Sequence, residues 1–219
     1  MRRPISGLFL SLVISLVFGG VARGQTAGHA GGYGIELGLG VWIQGNAGSS
    51  VSSNGAISTA KSQAMGASLG FHHWSTEHLA VGLTASVINA EASVLNTPFV
   101  SESQTSAVSA LMLDVRYQLP IRASGSLIPY LHASAGPVFG FRASSGTTGQ
   151  VVSTQTVLGG RVGAGWNMAL SHMVVLGLRG SYLVMSGFSE PVAGRKQFNG
   201  VEVLFCVALI WGGDPVPSE

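Results

Sequence analysis

Two groupings of side chains in this sequence could do chemistry. His132-Ala133-Ser134 puts an imidazole and a hydroxyl on one face of an extended segment, the arrangement of a general base beside the nucleophile it would activate. Such a pair needs an acid to orient the imidazole. The stretch 154–185 contains neither Asp nor Glu, so Asp114 on the preceding segment is the nearest candidate. The second grouping is His72, His73 and His78, with Glu77 as the neighbouring carboxylate and no cysteine close by. Adjacent residues of a strand point to opposite faces, so His72 and His73 do not converge on one ion, and a hydrated rim is the simpler expectation. The phosphate-binding loop, the dinucleotide fingerprint and the HExxH pattern do not occur. No catalytic set is complete, and no metal or cofactor is expected.

The remaining charges matter more for their placement than for their reactivity. Glu36, Asp114, Arg116, Arg161, Arg179 and Glu202 sit within segments of alternating character, on the face opposite the large apolar residues. From Gly200 to Trp211, Val201, Val203, Phe205, Val207, Leu209 and Trp211 share one face, while Glu202, Leu204, Cys206, Ala208 and Ile210 share the other. Tyr33 to Gln44 has the same design, with Tyr33, Ile35, Leu37, Leu39, Val41 and Ile43 against Gly34, Glu36, Gly38, Gly40, Trp42 and Gln44. Pairing these two would close a sheet on itself and leave no exposed edge.

Composition agrees with a closed sheet in lipid. Only 9% of the 219 residues are charged, 32 are glycine, and mean hydropathy is +0.42, whereas a soluble domain carries roughly 25% charged residues. Beyond residue 24 the longest strongly apolar runs are about nine residues, too short for a spanning helix of about 20. Apolar content spread over short alternating segments is the pattern of a membrane β-barrel. Residues 1–24 read as a secretory signal: Arg2 and Arg3, an apolar stretch Leu8 to Phe18, and a small-x-small site at Ala22-Arg23-Gly24. Without that segment the chain has 8 basic and 9 acidic residues, so its basicity makes no case for nucleic acid. The single cysteine, Cys206, excludes an intramolecular disulfide.

Residues 25–32 form a short Gly/Ala/His lead-in, 33–212 the barrel and 213–219 a tail. Eight strands are expected: Tyr33–Gln44, Ser58–His73, His78–Ala90, Thr105–Leu119, Leu127–Phe141, Thr154–Met168, His172–Met185 and the closing Gly200–Trp211. Long Ser/Thr/Asn/Gly-rich connections (45–57, 91–104, 143–153, 186–196) alternate with short ones near 74–77, 120–126 and 169–171. That alternation belongs to an up-and-down barrel with long outer loops and short periplasmic turns. The fold expected is therefore an all-β, eight-stranded antiparallel transmembrane barrel.

Leu113-Asp114-Val115-Arg116-Tyr117-Gln118-Leu119-Pro120, followed by Pro129-Tyr130-Leu131-His132-Ala133-Ser134-Ala135-Gly136, resembles the small outer-membrane β-barrel domain family related to OmpA and OmpX. The Arg161–Asn167 glycine alternation and the aromatic-ended last strand resemble it as well, and the likeness spans about residues 33–211. It implies the outer membrane of a Gram-negative-type bacterium, contact with outer-membrane lipid and lipopolysaccharide, and insertion by the barrel assembly machinery. In that family the terminal aromatic usually ends the chain, whereas here GGDPVPSE follows Trp211. The His-x-Ser of outer-membrane lipid A deacylases is loosely similar to His132–Ser134.

Charges facing lipid cost about 2–4 kcal/mol near the bilayer midplane, so Glu36, Asp114, Arg116, Arg161, Arg179 and Glu202 are expected to fill the lumen as a salt-bridge network. Inward glycines (Gly38, Gly40, Gly66, Gly82, Gly163, Gly177) would make room for the long arginines. Tyr33, Trp74, Tyr117, Tyr130, Trp166 and Trp211 are expected to form an aromatic girdle at the short-turn interface, with Phe139, Phe141, Tyr182 and Phe198 nearer the long loops. A filled lumen implies a structural or surface-interaction role for the outer loops, whose ligand the sequence does not name. A small-solute channel, a lipid A-modifying enzyme and a soluble ligand-binding barrel are the alternatives.

Overall fold

The computed structural model describes residues 30–44, 49–51, 57–59, 63–97, 100–120, 127–146, 149–193 and 195–213. The expected signal at 1–24, most of the lead-in and the tail beyond 213 lie outside these. Ten strands follow in chain order: β1 Tyr33–Ile43, β2 Ser49–Val51, β3 Ile57–Thr59, β4 Gln63–Trp74, β5 Leu79–Thr97, β6 Val100–Gln118, β7 Leu127–Gly146, β8 Gly149–Ala169, β9 Val174–Met185 and β10 Gly200–Trp211. Eight of them close an antiparallel barrel in the order β1-β10-β9-β8-β7-β6-β5-β4, while β2 and β3 form a separate small hairpin. The closure is the pairing of first and last strands, from Tyr33↔Trp211 to Ile43↔Val201.

Period-two alternation decides which face is which. Along β1 every second residue is buried from Gly34 to Gly38 and again at Trp42, and along β10 Glu202, Leu204, Cys206 and Ile210 are buried. The large aliphatic residues between them are exposed on the outer wall, among them Leu113 at 65% and Leu158 at 72%. Apolar side chains thus cover the outside and charged ones fill the inside, the inverse of a soluble barrel. Only a closed barrel or a helix can cross a bilayer with every backbone group paired. No described helix is long and apolar enough to cross a membrane, and here the crossing is made by strands.

Strand ends depart from the sequence expectation. The connections 91–104 and 143–153 were expected as loops. Instead β5 pairs with β6 out to Thr97↔Val100, and β7 with β8 out to Gly146↔Gly149. Strands of 19 to 21 residues are about twice the roughly 9–11 needed to cross the hydrocarbon, so two tall hairpins project past the apolar belt. A hairpin satisfies its own backbone hydrogen bonds, and outside lipid it needs no apolar face. Its polar Ser/Thr/Gln sequence therefore lacked the alternation by which strands are recognised.

On the opposite rim two described turns, β4–β5 and β8–β9, are capped by side-chain hydroxyls. Thr76 Oγ1 accepts from the backbone N–H of His78 (3.2 Å) and Leu79 (3.0 Å), and Ser171 Oγ accepts from Met173 (3.3 Å) and Val174 (3.1 Å).

Between β9 and β10 the chain forms a strap, described over residues 186–193 and 195–199. It folds inward across the barrel mouth and buries Phe188, Val192 and Phe198.

Candidate functional site

Among the described residues, buried charged and polar side chains collect in the lumen, which is layered along the barrel axis. Its middle layer holds the six expected charged residues, all buried. Arg116 donates a fork of two hydrogen bonds to Glu36, Nη1 to Oε2 at 2.7 Å and Nη2 to Oε1 at 3.1 Å. Arg179 Nη1 donates to the same carboxylate (Oε1, 2.9 Å), and its Nη2 reaches Ser68 Oγ at 2.8 Å. Higher in the barrel, Arg161 Nε lies 3.1 Å from Glu202 Oε2, which also accepts from Ser181 Oγ (3.1 Å), while Arg161 Nη2 donates to Ser86 Oγ (3.0 Å). Three guanidiniums thus meet two carboxylates, and charge-assisted, partly bidentate geometry is what makes buried pairs tolerable away from water. Glu36 on β1 meets Arg116 on β6 across the interior, so the bonds tie non-adjacent strands together.

The third carboxylate, Asp114, is approached by both buried histidines. His72 Nε2 is 3.0 Å from Asp114 Oδ2, and His132 Nδ1 is 3.6 Å from Oδ1. His72 is therefore a lumen residue, which corrects its expected place on a hydrated rim. His73, one residue on, faces outward and packs on Tyr33, with ring centroids 4.8 Å apart. Among the described residues no group of three or more His, Cys, Asp or Glu could hold a metal ion. His132 and Ser134 do share the inward face, with Asp114 beside them. However, Ser134 Oγ donates to Met112 Sδ at 3.4 Å, and both residues are buried in the wall. The arrangement orients a histidine but presents no hydroxyl to a substrate.

Two expected members of the girdle belong to the lumen instead. Trp74 shares its strand face with His72, and Tyr130 shares one with His132, and both are buried. The Arg116 guanidinium lies 4.5 Å over the Tyr130 ring, so Tyr130 is part of the charge layer through a cation–π contact. Phe198, expected near the outer interface, is likewise buried. Strand parity puts Trp74 and Tyr130 on the inward face with His72 and His132, whereas Phe198 lies in the strap, outside any strand. Tyr33, Tyr117, Trp166 and Trp211 do stand exposed on the outer wall.

The inward glycines serve the wall more than the arginines. A Cβ at Gly40 would strike the Val203 carbonyl oxygen, at Gly82 that of Phe71, and at Gly163 that of Gly180. These positions let neighbouring strands approach closely where a small barrel must curl.

Above the charges lies a layer that sequence reading missed. Trp42, Ile88, Val108, Met112, Val138 and Leu183 from the wall pack with Phe188, Val192 and Phe198 from the strap. The strap's apolar residues were the available signal, since three large ones in a Ser/Gly/Pro-rich connection have no reason to face water. Below the charges, a cavity of about 10 Å³ beside Glu36, His72, Trp74 and Arg116 has room for about one water.

The sequence matches no protein-family model and no curated protein. Solved structures match in shape. Ail, the attachment invasion locus protein of Yersinia pestis, solved with the heparin analogue sucrose octasulfate, aligns at 12% identity over 83% of this chain and 99% of that one, with a TM-score of 0.50. Neisserial surface protein A aligns at 15% identity over 84% and 97% (TM-score 0.48). OprG from Pseudomonas aeruginosa aligns at 14% over 84% and 98% (TM-score 0.43). At such identities the likeness concerns the fold. The apolar outer wall and the charged interior make this chain an eight-stranded antiparallel transmembrane β-barrel.

Proposed function

We propose that the protein is a surface-display barrel: a rigid, sealed membrane anchor whose working surface is its polar extracellular hairpins. The observation that carries this reading is the packed interior. Ion pairs, an apolar layer and the strap occupy the described lumen in succession, which opposes passage of a solute, and Ser134, the candidate nucleophile, is buried. What continues outside the belt is the paired upper halves of β5–β6, out to Thr97↔Val100, and of β7–β8, out to Gly146↔Gly149. Loops and hairpins held by a rigid scaffold are where binding residues concentrate. In this reading the outer wall contacts lipopolysaccharide, the closing strand ending in Trp211 is read by the assembly machinery, and the hairpins meet a polar macromolecule at the cell surface.

The test has two arms. Purified barrel in planar bilayers should give no reproducible conductance steps. Cells carrying a variant in which residues 89–106 are replaced by a two-residue turn should lose binding to a glycan and matrix-protein array that wild-type cells show. Discrete conductance, or array binding indifferent to the hairpin, would move the function into the lumen.

A further inference from the structure

We infer that the strap is a latch: it holds the barrel's closing seam, β1 against β10, shut at the extracellular end. Every other pair of neighbouring strands in the barrel is joined by a segment of chain, whereas β1 and β10 are held by their ladder, from Tyr33↔Trp211 to Ile43↔Val201. Pairing strands so far apart in sequence carries a large closure entropy, so this junction gains most from an added tie. The strap runs directly into β10 and grips β1. Arg195 Nη1 donates to Gln44 Oε1, and Gln44 Nε2 donates to the Gln197 carbonyl (3.4 Å). The Arg195 guanidinium lies 5.6 Å from the centroid of the Trp42 ring, and Phe198 packs on the same residue with ring centroids 5.7 Å apart. Three strap residues thus meet Trp42 near the end of β1 and Gln44 just beyond it.

The strap's other flank is fixed to β8. Gln155 Oε1 accepts from Ser189 Oγ (2.7 Å) and the Glu190 N–H (3.0 Å), and Gln155 Nε2 donates to the Glu190 carbonyl (3.2 Å). Between these attachments Val192 and Arg195 bond each other in both directions, with Ala193 left-handed at φ 49°. That turn sends Val192 into the apolar layer and Arg195 to β1. Two glycines let the strap lie low in the mouth. A Cβ at Gly140 would come within 2.7 Å of Val192, and one at Gly200 within 2.6 Å of the Ile43 carbonyl oxygen and 2.9 Å of the Trp42 ring. The opposite end of the seam has a tie of its own on the outer wall. There Phe71 of β4 reaches past β1 to Trp211 of β10, at 6.5 Å between centroids, and stacks on Tyr33 at 5.9 Å. The seam is fastened from outside at the short-turn rim and from inside at the mouth.

The test is amide hydrogen–deuterium exchange of the full barrel in phospholipid nanodiscs. Gln44→Ala removes the side-chain hydrogen bonds by which Arg195 and Gln197 hold β1. Exchange at the extracellular end of the seam, in residues 39–43 and 201–205, should rise about tenfold. The Tyr33–Trp211 end and the β6–β7 ladder should keep their protection. Arg195→Ala should have the same local effect and add little in a Gln44→Ala background, because the two residues share one bond. Gln44→Glu, which turns that bond into an ion pair, should restore the protection lost in Gln44→Ala. Gln155→Ala, which frees the strap from β8 alone, should raise exchange within residues 186–193 and leave the seam within about twofold of wild type. Seam exchange that is unchanged in Gln44→Ala, or that rises equally in every ladder, would overturn the inference and leave the strap as a filling of the mouth.

Discussion

Glu36 is the side chain on which the interior turns, because among the described residues it alone holds two arginines, from β6 and β9. Glu36→Gln keeps its shape but removes the charge, leaving Arg116 and Arg179 buried without their counter-ion. Breaking a buried pair in this way costs about 3–5 kcal/mol. Denaturant unfolding of the barrel refolded in lipid vesicles should show a loss of that order, against less than about 0.5 kcal/mol for Glu190→Gln on the exposed strap. An equal, small effect for both would mean the network contributes little. At this scale the sequence was readable wherever alternation was obeyed. The inward positions of Glu36, Asp114, Arg116, Arg161, Arg179 and Glu202 follow from period two alone. Trp74 and Tyr130 went astray because their size suggested an interface while their parity, shared with His72 and His132, pointed inside. Which arginine meets which carboxylate was not readable, since it depends on how far side chains reach across the barrel rather than on strand order.

For the elements, the outer wall makes the sharpest claim. Leu113 stands at 65% exposure on β6, which in water would be a liability and in hydrocarbon is the favoured state. Leu113→Arg should therefore destabilise the barrel in vesicles by about 2–4 kcal/mol, measured by the same unfolding titration. A neutral or stabilising effect would mean that this face meets water. Strand identity was legible from the sequence, but strand height was not. β5 through β8 continue far beyond the belt because a polar hairpin is held by its own backbone ladder, which leaves no mark on hydrophobic periodicity. The strap was missed for a related reason. Its anchors, Phe188, Val192 and Phe198, are spaced irregularly, so their burial comes from tertiary folding into the mouth and not from any local repeat.

For the whole molecule, one inversion accounts for the composition, the topology and the packing: apolar outside, charged and filled within. Closure of β1 on β10 removes every edge, so all backbone hydrogen bonds across the belt are internal, and mild detergent gains nothing by attacking them. Heat is needed to open such a sheet. The most direct test is therefore gel migration of the outer-membrane fraction in mild detergent, with and without boiling. The protein should be found in that fraction and should run as a compact, faster band that shifts to its full-length position only after boiling. Recovery in the soluble periplasm with a single band unchanged by boiling would contradict the membrane barrel, and with it the display of the hairpins at the surface.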